Sequence, residues 1–272
     1  MFFKCCLRSF TSFSLFIIVF CASCDVKEDR SQCPCRLMLS FSQSSDRFEG
    51  GALLLVFRTP DDSLVTDTVT VSADGKMEAG TFYEVDVPRG DLRLTAITLG
   101  EVLCDPVEGM IIPVGSECPP VFLQSELLDT RRDVLRHNVV LCKNYCLLTV
   151  RLEKPLEEGL PFALDVTGGV NGYSAEGNPL EGAFRFLLPD SDKTEFTISL
   201  PRQLDNSLLI NLLSKQGKTL RSFAFGEYVE ESGYDWTEAD LKDLSITIDY
   251  SSSLITFQSD LWSETLSFEI VV

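Results

Sequence analysis

From residue 36 onward the chain consists of short segments in which apolar residues alternate with polar ones, separated by turn residues. In RLMLSFS the apolar side chains of Leu37, Leu39 and Phe41 occupy every second position, and GALLLVFRTP is an apolar run that ends at Pro60. A period of two is typical of a strand with one buried face. Because the segments are short and closely spaced, the pattern predicts an all-β protein built of β-sandwiches rather than a parallel sheet with crossover helices.

Residues 125–137 (SELLDTRRDVLRH) interrupt the alternation with dense charge and a helix-like composition. They predict a linker or a short helix between two strand-rich halves. The length then suits two domains of about 100 residues each. We expect an N-terminal β-sandwich over residues 36–140 and a C-terminal one over residues 141–272.

Two local patterns predict a turn and a helix. Val85 and Val87 alternate into Pro88-Arg89-Gly90 and the apolar alternation then resumes, which predicts a hairpin. In GYDWTEADLKD, Asp235 or Thr237 is a helix N-cap followed by acidic residues, so one short helix is expected there.

The first residues have the pattern of an export signal. Lys4 and Arg8 precede an apolar stretch at residues 10–20, which is shorter than the roughly 20 residues of a membrane-spanning helix. Small residues then precede Cys24, which resembles the bacterial lipoprotein signal, where the cysteine is acylated and the peptide is cut just before it. We expect residues 1–23 to be a lipoprotein signal peptide, Cys24 to be lipidated, and residues 24–35 to form a tether. An ordinary secretory signal followed by a disulfide cysteine is the alternative.

The tether carries a second localisation signal. Lys27, followed by Glu28 and Asp29, resembles the surface-export signal of Bacteroidetes lipoproteins, although the same charges also suit a solvated tether. Each buried methylene contributes about 0.8 kcal/mol, so two or three acyl chains give a lasting anchor. We expect a protein of the cell outer membrane, held by acyl chains and exposed at the cell surface.

The composition excludes some partners. The formal net charge is −18, and removal of the basic signal peptide makes it more negative. A surface of this charge repels phosphate backbones, so we expect no nucleic-acid binding. It also excludes a polybasic contact with anionic lipid.

Six further cysteines favour disulfides, because an even set in an exported protein is usually paired. They are Cys33, Cys35, Cys104, Cys118, Cys142 and Cys146. The sequence does not decide their connectivity. Zinc is the alternative, since Cys142 and Cys146 have a tolerable ligand spacing, but the other cysteines do not supply a good second pair.

The chain has few groups for catalysis. His137 is its single histidine, and no phosphate-binding or nucleophile motif is present. Paired carboxylates of a glycosidase are the catalytic device that 41 acidic residues leave open. We expect no enzyme activity, no metal and no cofactor. Carbohydrate binding on Trp236 or Trp262 is a stronger alternative, although apolar neighbours favour a core position for both.

Several motifs together resemble one family. A lipid cysteine and short tether precede Cys33-Pro34 and the first strand, and FYEVDVPRG follows later in that half. The second half contains TISLPRQLDNSLLINLL, with Leu200, Pro201 and Arg202, and GEYVEESGYDWTEADLKDLSITIDY, with Gly233, Tyr234, Asp235 and Trp236. In order and spacing these resemble the fimbrillin-associated fimbrial anchor lipoproteins of Bacteroidales.

The resemblance implies two tandem transthyretin-like (Greek-key) β-sandwich domains and a role as anchor or accessory subunit of a fimbria, a type V pilus, in fimbrial assembly and cell adhesion. It supplies no catalytic residues. It also implies that the partners are major or accessory fimbrial subunits, joined by β-strand addition. A surface-exposed carbohydrate-binding β-sandwich lipoprotein is the alternative function.

The C-terminal segment LSFEIVV is the candidate interaction strand. Its apolar residues Leu266, Phe268, Ile270 and Val272 share one face of an extended chain. This alternation suits insertion into a groove of a neighbouring subunit. It equally suits the last strand of the protein's own sandwich, which is the favoured interpretation because exposed apolar edges aggregate.

Overall fold

The computed structural model describes residues 33–43, 48–77, 82–100, 104–152, 162–188, 194–214, 216–249, 254–259 and 266–269. In these residues the protein is mainly β and forms three sheets, as the alternation predicted for fold class. In chain order the elements are β1 (Cys35–Gln43), β2 (Gly50–Arg58), β3 (Leu64–Ser72), β4 (Tyr83–Val87), β5 (Asp91–Thr98), β6 (Cys104–Asp105), β7 (Gly109–Ile111), β8 (Phe122–Asp129), β9 (Val134–Lys143), β10 (Tyr145–Leu152), β11 (Phe162–Tyr173), β12 (Pro179–Leu187), β13 (Glu195–Pro201), β14 (Leu209–Ser214), β15 (Thr219–Phe223), α1 (Phe225–Glu231), β16 (Leu244–Asp249), β17 (Leu254–Ser259) and β18 (Leu266–Glu269).

The first sheet has seven strands in the order β3-β2-β5-β8-β9-β1-β4. Its pairs are antiparallel except for β1 and β9, which are parallel. β8 and β9 share only two residue pairs, at Phe122 and Leu123, so the sheet turns a corner there. The strands at the two ends of this sheet, β3 and β4, lie close to each other. Tyr83 of β4 donates a hydrogen bond of 2.7 Å to Asp67 of β3. The sheet therefore folds back into two layers.

The interior of these layers contains the residues that the alternation places on one face. Leu37 and Leu39 of β1 are fully buried, and Phe41 is nearly so. The apolar run of β2 is buried as well, including Leu53 and Leu55. The burial of every second residue confirms the period-two prediction for the first strand. A strand with one buried face is also held in register, because a slip by one residue would turn its apolar side chains to solvent.

The other two sheets contain mostly residues of the second half. The second sheet has the order β13-β10-β16-β17-β18, in which β10 and β16 are parallel. The third has the order β15-β14-β11-β7-β6, with β12 paired along the opposite edge of β11. The chain passes from the first sheet to the second at Asn144, between β9 and β10.

The hairpin of β6 and β7 comes from the first half but belongs to the third sheet. Ile111 and Met110 of β7 pair with Gly172 and Tyr173 of β11. Glycines permit the close approach: a Cβ on Gly109, whose φ is +96°, would lie 2.1 Å from the Tyr173 carbonyl oxygen. A Cβ on Gly172 would lie 2.1 Å from the Met110 carbonyl oxygen. The hairpin therefore joins the two halves through backbone pairing.

Residues 125–137 are not a linker or helix, so that prediction is wrong. They form most of β8 and the start of β9, which pair with β5 and β1 respectively. Leu128 is buried against the core, whereas the charged side chains of Glu126, Arg132 and Asp133 are exposed. Pairing with strands distant in sequence overrides the local helix-like composition.

The predicted hairpin at residues 88–90 is also wrong, although both strands exist. β4 pairs with β1, while β5 pairs with β2 and β8. Residues 88–90 instead cross between the two layers. The buried hydroxyl of Thr130 holds this crossing, donating to the Pro88 carbonyl at 2.7 Å and accepting from the Gly90 N–H at 3.0 Å.

The single helix of the described residues lies earlier than predicted. In α1, Phe225 and Val229 are four residues apart and buried, and Gly233, with φ +75°, follows its end. Asp235 does not cap a helix. Its Oδ1 accepts hydrogen bonds of 2.7 Å from the backbone N–H and the hydroxyl of Thr237, which forms a turn.

Candidate functional site

The predicted lipidation site, Cys24, lies outside the described residues. The six later cysteines are thiols in the part of the chain that the structure describes, so their pairing in disulfides stays a prediction. Cys33 is exposed, whereas Cys35, Cys118 and Cys146 are buried and Cys104 and Cys142 are half-buried. Burial raises the pKa of Cys35 and of Cys118. Among the described residues no group of three or more potential ligands could hold a metal ion.

The C-terminal candidate strand is paired within the chain. β18, which contains Leu266 and Phe268, is antiparallel to β17 and stands last in the second sheet. Ile270 and Val272 lie outside the described residues. Whether this strand contacts a partner stays a prediction.

The two motif segments of the second half meet at Arg202. Its guanidinium donates to the Asn144 side-chain oxygen at 2.9 Å and to the Glu238 carbonyl at 2.8 Å. It also donates to the carbonyl oxygens of Trp236 and Ala239. Burial lowers the pKa of Arg202 from its ordinary value. Arg202 therefore fixes the loop of Trp236 to the end of β13.

Trp236 borders a small pocket, the Trp236 pocket, of about 370 Å³. Its ring meets that of Tyr234 edge to face, with centroids 4.8 Å apart. The other lining residues include Asp205, Asn206, Glu230 and Asp235. Hydrogen bonds from Ser207 and Thr237 hold the pKa values of Asp205 and Asp235 below their usual range. Aromatic and carboxylate groups together are suited to hydroxyl-rich ligands. Trp262 lies outside the described residues.

A larger groove, the lateral groove, runs beside the edges of the second and third sheets. Its volume is about 1290 Å³. It is lined by the β6–β7 hairpin, by residues 113–120, by Tyr145 and Leu147 of β10, by Phe186 of β12 and by Ser199 of β13. Sequence reasoning missed it, because its residues come from distant segments without a common motif.

Residues 113–120 bridge the two sheet edges at this groove. Gly115 donates its N–H to the Arg185 carbonyl of β12 at 2.8 Å, and Cys118 donates to the Ser199 carbonyl of β13 at 3.1 Å. The Ser199 N–H in turn donates to the Glu117 carboxylate at 3.1 Å. The segment is therefore hydrogen-bonded to the edge of each sheet at one residue, Arg185 of β12 and Ser199 of β13.

The single histidine lies outside both cavities. His137 Nε2 is 3.1 Å from Glu126 Oε2, between β9 and β8. Within the described residues, no helix combines the length and apolar composition required to cross a bilayer.

Comparison with known proteins identifies the fold. No family model matches the sequence, and no curated protein matches it. A candidate adhesin from Bacteroides ovatus superposes with a TM-score of 0.61 at 14% identity, over 86% of this chain and 95% of that chain. The fimbrial anchor protein Mfa2 from Porphyromonas gingivalis gives a TM-score of 0.57 at 10% identity, over 85% of this chain and 98% of that chain. The chain shares their fold.

A third solved structure has the same fold. It is a candidate polysaccharide-binding protein from Bacteroides thetaiotaomicron, with a TM-score of 0.62 and 11% identity, covering 87% of this chain and 98% of that one. The structural neighbours are therefore a fimbrial anchor, an adhesin candidate and a polysaccharide-binding candidate of Bacteroidales. At this identity the likeness extends to the fold alone.

Proposed function

We propose that the protein is an outer-membrane lipoprotein that serves as an anchor or accessory subunit of a fimbria, in fimbrial assembly and cell adhesion. The observation that carries the proposal is the superposition with the fimbrial anchor Mfa2 over nearly the whole of that chain. The lipoprotein-like sequence at Cys24 and the motif segments joined by Arg202 support it independently, since the first concerns location and the second the fold of the second half.

The proposed organisation has four parts. They are a signal peptide at residues 1–23, a lipidated tether at residues 24–35, and two transthyretin-like β-sandwiches at residues 36–140 and 141–272. The passage of the chain from the first sheet to the second at Asn144 supports this division.

Lipidation at Cys24 is tested by feeding cells a fatty-acid analogue and comparing the wild type with Cys24→Ala. We expect Cys24→Ala to lose the label and to leave the outer-membrane fraction, because the acyl chains are the proposed membrane contact. Cys33→Ala is the matched control, since it changes a different cysteine, which is exposed. We expect this variant to keep the fatty-acid label and to stay in the outer-membrane fraction. Label retained in Cys24→Ala would contradict the assignment.

Partner subunits are proposed to join by β-strand addition, which combines main-chain hydrogen bonds with side-chain register. Deletion of residues 266–272 tests the C-terminal strand. If β18 is structural, the shortened protein loses protease resistance, because β17 loses its neighbour. A shortened protein that stays folded but no longer retains fimbriae would instead make β18 the interaction strand.

Carbohydrate binding is the second candidate function, favoured by the Trp236 pocket and by the likeness to the polysaccharide-binding candidate. A glycan array distinguishes carbohydrate binding from the fimbrial role. It is probed with the full chain and with the variants Trp236→Ala and Trp262→Ala. Specific binding that either substitution abolishes would favour this function. An array without specific signals would leave the fimbrial role.

A further inference from the structure

The lateral groove has an apolar lining that is partly exposed to solvent. Ile111 of β7 lines it and is 49% exposed. Leu147 of β10 and Phe186 of β12 line it as well and are half-buried. A concave site lined by apolar side chains that solvent still reaches is typical of a binding site.

The charged side chains in the groove have one sign. Asp105, Glu108 and Glu117 line it, and none of the lining residues is basic. Asp105 accepts hydrogen bonds from the N–H groups of Val107 and Glu108, and Glu117 accepts one from Ser199. The carboxylates of Asp105 and Glu117 are thereby fixed in place. An apolar surface with a fixed negative rim is complementary to a segment that is apolar and basic.

The backbone of β13 can bind such a segment. Ser199 directs its N–H and carbonyl away from β10, to Glu117 and Cys118. In an antiparallel ladder every second residue has the same orientation, so Thr197 directs its N–H and carbonyl to the same side. In the described part of the chain β13 has β10 as its single paired strand, so Thr197 has no strand opposite it there.

A buried polar atom also lies at the groove. Ser199 is 7% exposed, and its hydroxyl is buried without a hydrogen-bond partner in the described structure. A buried hydroxyl without a partner destabilises the folded chain. A ligand polar group in the groove would provide that partner.

We propose that the lateral groove binds an extended segment of a partner protein in which apolar residues alternate with lysine or arginine. The apolar side chains contact Ile111, Phe186 and Leu147, the basic ones reach the carboxylates of the rim, and the main chain pairs with Thr197. The partner is not a second copy of this chain, because two molecules with a net charge of −18 repel each other. The proposal does not depend on the fimbrial role, since it concerns direct peptide binding.

The probe is a synthetic peptide of about nine alternating lysine and valine residues, roughly 30 Å long when extended. Isothermal titration calorimetry with the full chain measures its affinity. We expect saturable binding that weakens as salt is added, and no binding of the same peptide with glutamate in place of lysine. We also expect methylation of alternate backbone nitrogens to weaken binding about tenfold or more, because it removes main-chain donors. Equal binding of the methylated peptide would refute pairing with Thr197, and the absence of any binding would overturn the proposal.

Two pairs of variants place the peptide in the groove. Ile111→Lys changes an exposed apolar side chain of the groove, and Leu220→Lys changes one that is 60% exposed on β15. Glu108→Lys and the exposed Glu84→Lys on β4 make the same charge change inside and outside the groove. We expect Ile111→Lys and Glu108→Lys each to weaken binding about tenfold, and the two controls to weaken it less than about twofold. Equal effects of a variant and its control would show diffuse attraction to an acidic protein and would overturn the site.

Discussion

The half-buried side chain of Arg202 donates hydrogen bonds to several backbone carbonyls. Its partners are Asn144 at the end of β9 and three carbonyl oxygens of the loop at residues 236–239. A guanidinium has five donors in a fixed plane, which lysine cannot reproduce. The residue therefore has a structural role, and the Trp236 pocket depends on it.

Replacing Arg202 tests this role. We expect Arg202→Ala to lower the free energy of unfolding by about 3 kcal/mol and Arg202→Lys by about 2 kcal/mol, because several carbonyls lose a charged donor. The control is Arg151→Ala, which breaks the exposed pair with Glu195 and should cost less than about 1 kcal/mol. Chemical denaturation measures all three. A loss for Arg202→Ala no larger than for Arg151→Ala would contradict the structural role.

What the sequence could predict at this scale was which residues matter, but not what they touch. Arg202 and Trp236 both stand in motifs of the sequence, yet their contact joins segments 34 residues apart. The apolar neighbours of Trp236 favour a core position, and the side chain is half-buried: it packs against the core and also borders a pocket. The groove residues Ile111 and Ser199 gave no signal, because exposure and a missing hydroxyl partner depend on chain segments that meet only in three dimensions.

Among the elements, β7 has only three residues, but it joins the first half of the chain to the third sheet. Its pairing with β11 brings Gly109 against the Tyr173 carbonyl and Gly172 against the Met110 carbonyl. At each position any side chain would overlap a backbone oxygen, which cannot move away without breaking the sheet.

Gly109→Ala tests that contact. It adds a Cβ 2.1 Å from the Tyr173 oxygen at a φ of +96°, so we expect a loss of about 3 kcal/mol or more in unfolding free energy. Gly217→Ala is the matched control: its φ is +77°, but nothing lies within 4 Å of the added Cβ. The control isolates backbone strain, about 1–2 kcal/mol. Thermal or chemical unfolding measures the free energy of unfolding of both variants. Equal losses for Gly109→Ala and Gly217→Ala would show that β7 and β11 leave room for the added Cβ.

Strand existence was predictable because burial of one face imposes a period of two, as in β1. Strand partners were not. The turn at Pro88-Arg89-Gly90 has hairpin composition but crosses between layers, since Thr130 binds both of its ends. Residues 125–137 have helix-like composition, but most of them lie in β8 and β9. These strands form because they pair with β5 and β1, which are distant in sequence. Composition describes a segment alone, whereas pairing depends on distant ones.

At the scale of the whole molecule, contacts between the two halves are numerous. The rings of Phe122 and Tyr145 meet edge to face at 5.7 Å, and the Asn144 N–H donates to the Val121 carbonyl at 2.8 Å. Arg58 of β2 lies 3.4 Å from the carboxylate of Glu176. With the β7–β11 pairing and the bridge at residues 113–120, these contacts bind the proposed domains into one unit. Contacts of this kind suit the proposed role, in which the chain would transmit force from a lipid anchor to a fimbrial partner.

We therefore expect the full chain to unfold in a single calorimetric transition, although the fold has two halves. Backbone pairing between the halves makes the unfolding of one expose the interior of the other, so the two unfold together. Gly172→Ala should separate the transition into two, because its Cβ would lie 2.1 Å from the Met110 oxygen and displace β7. Gly217→Ala, which changes a glycine far from any contact, should keep one transition at a lower midpoint. Differential scanning calorimetry of the three proteins, with the ratio of calorimetric to van't Hoff enthalpy, distinguishes the cases. Two transitions in the wild type would show that the halves are independent and that the contacts between them contribute little to stability.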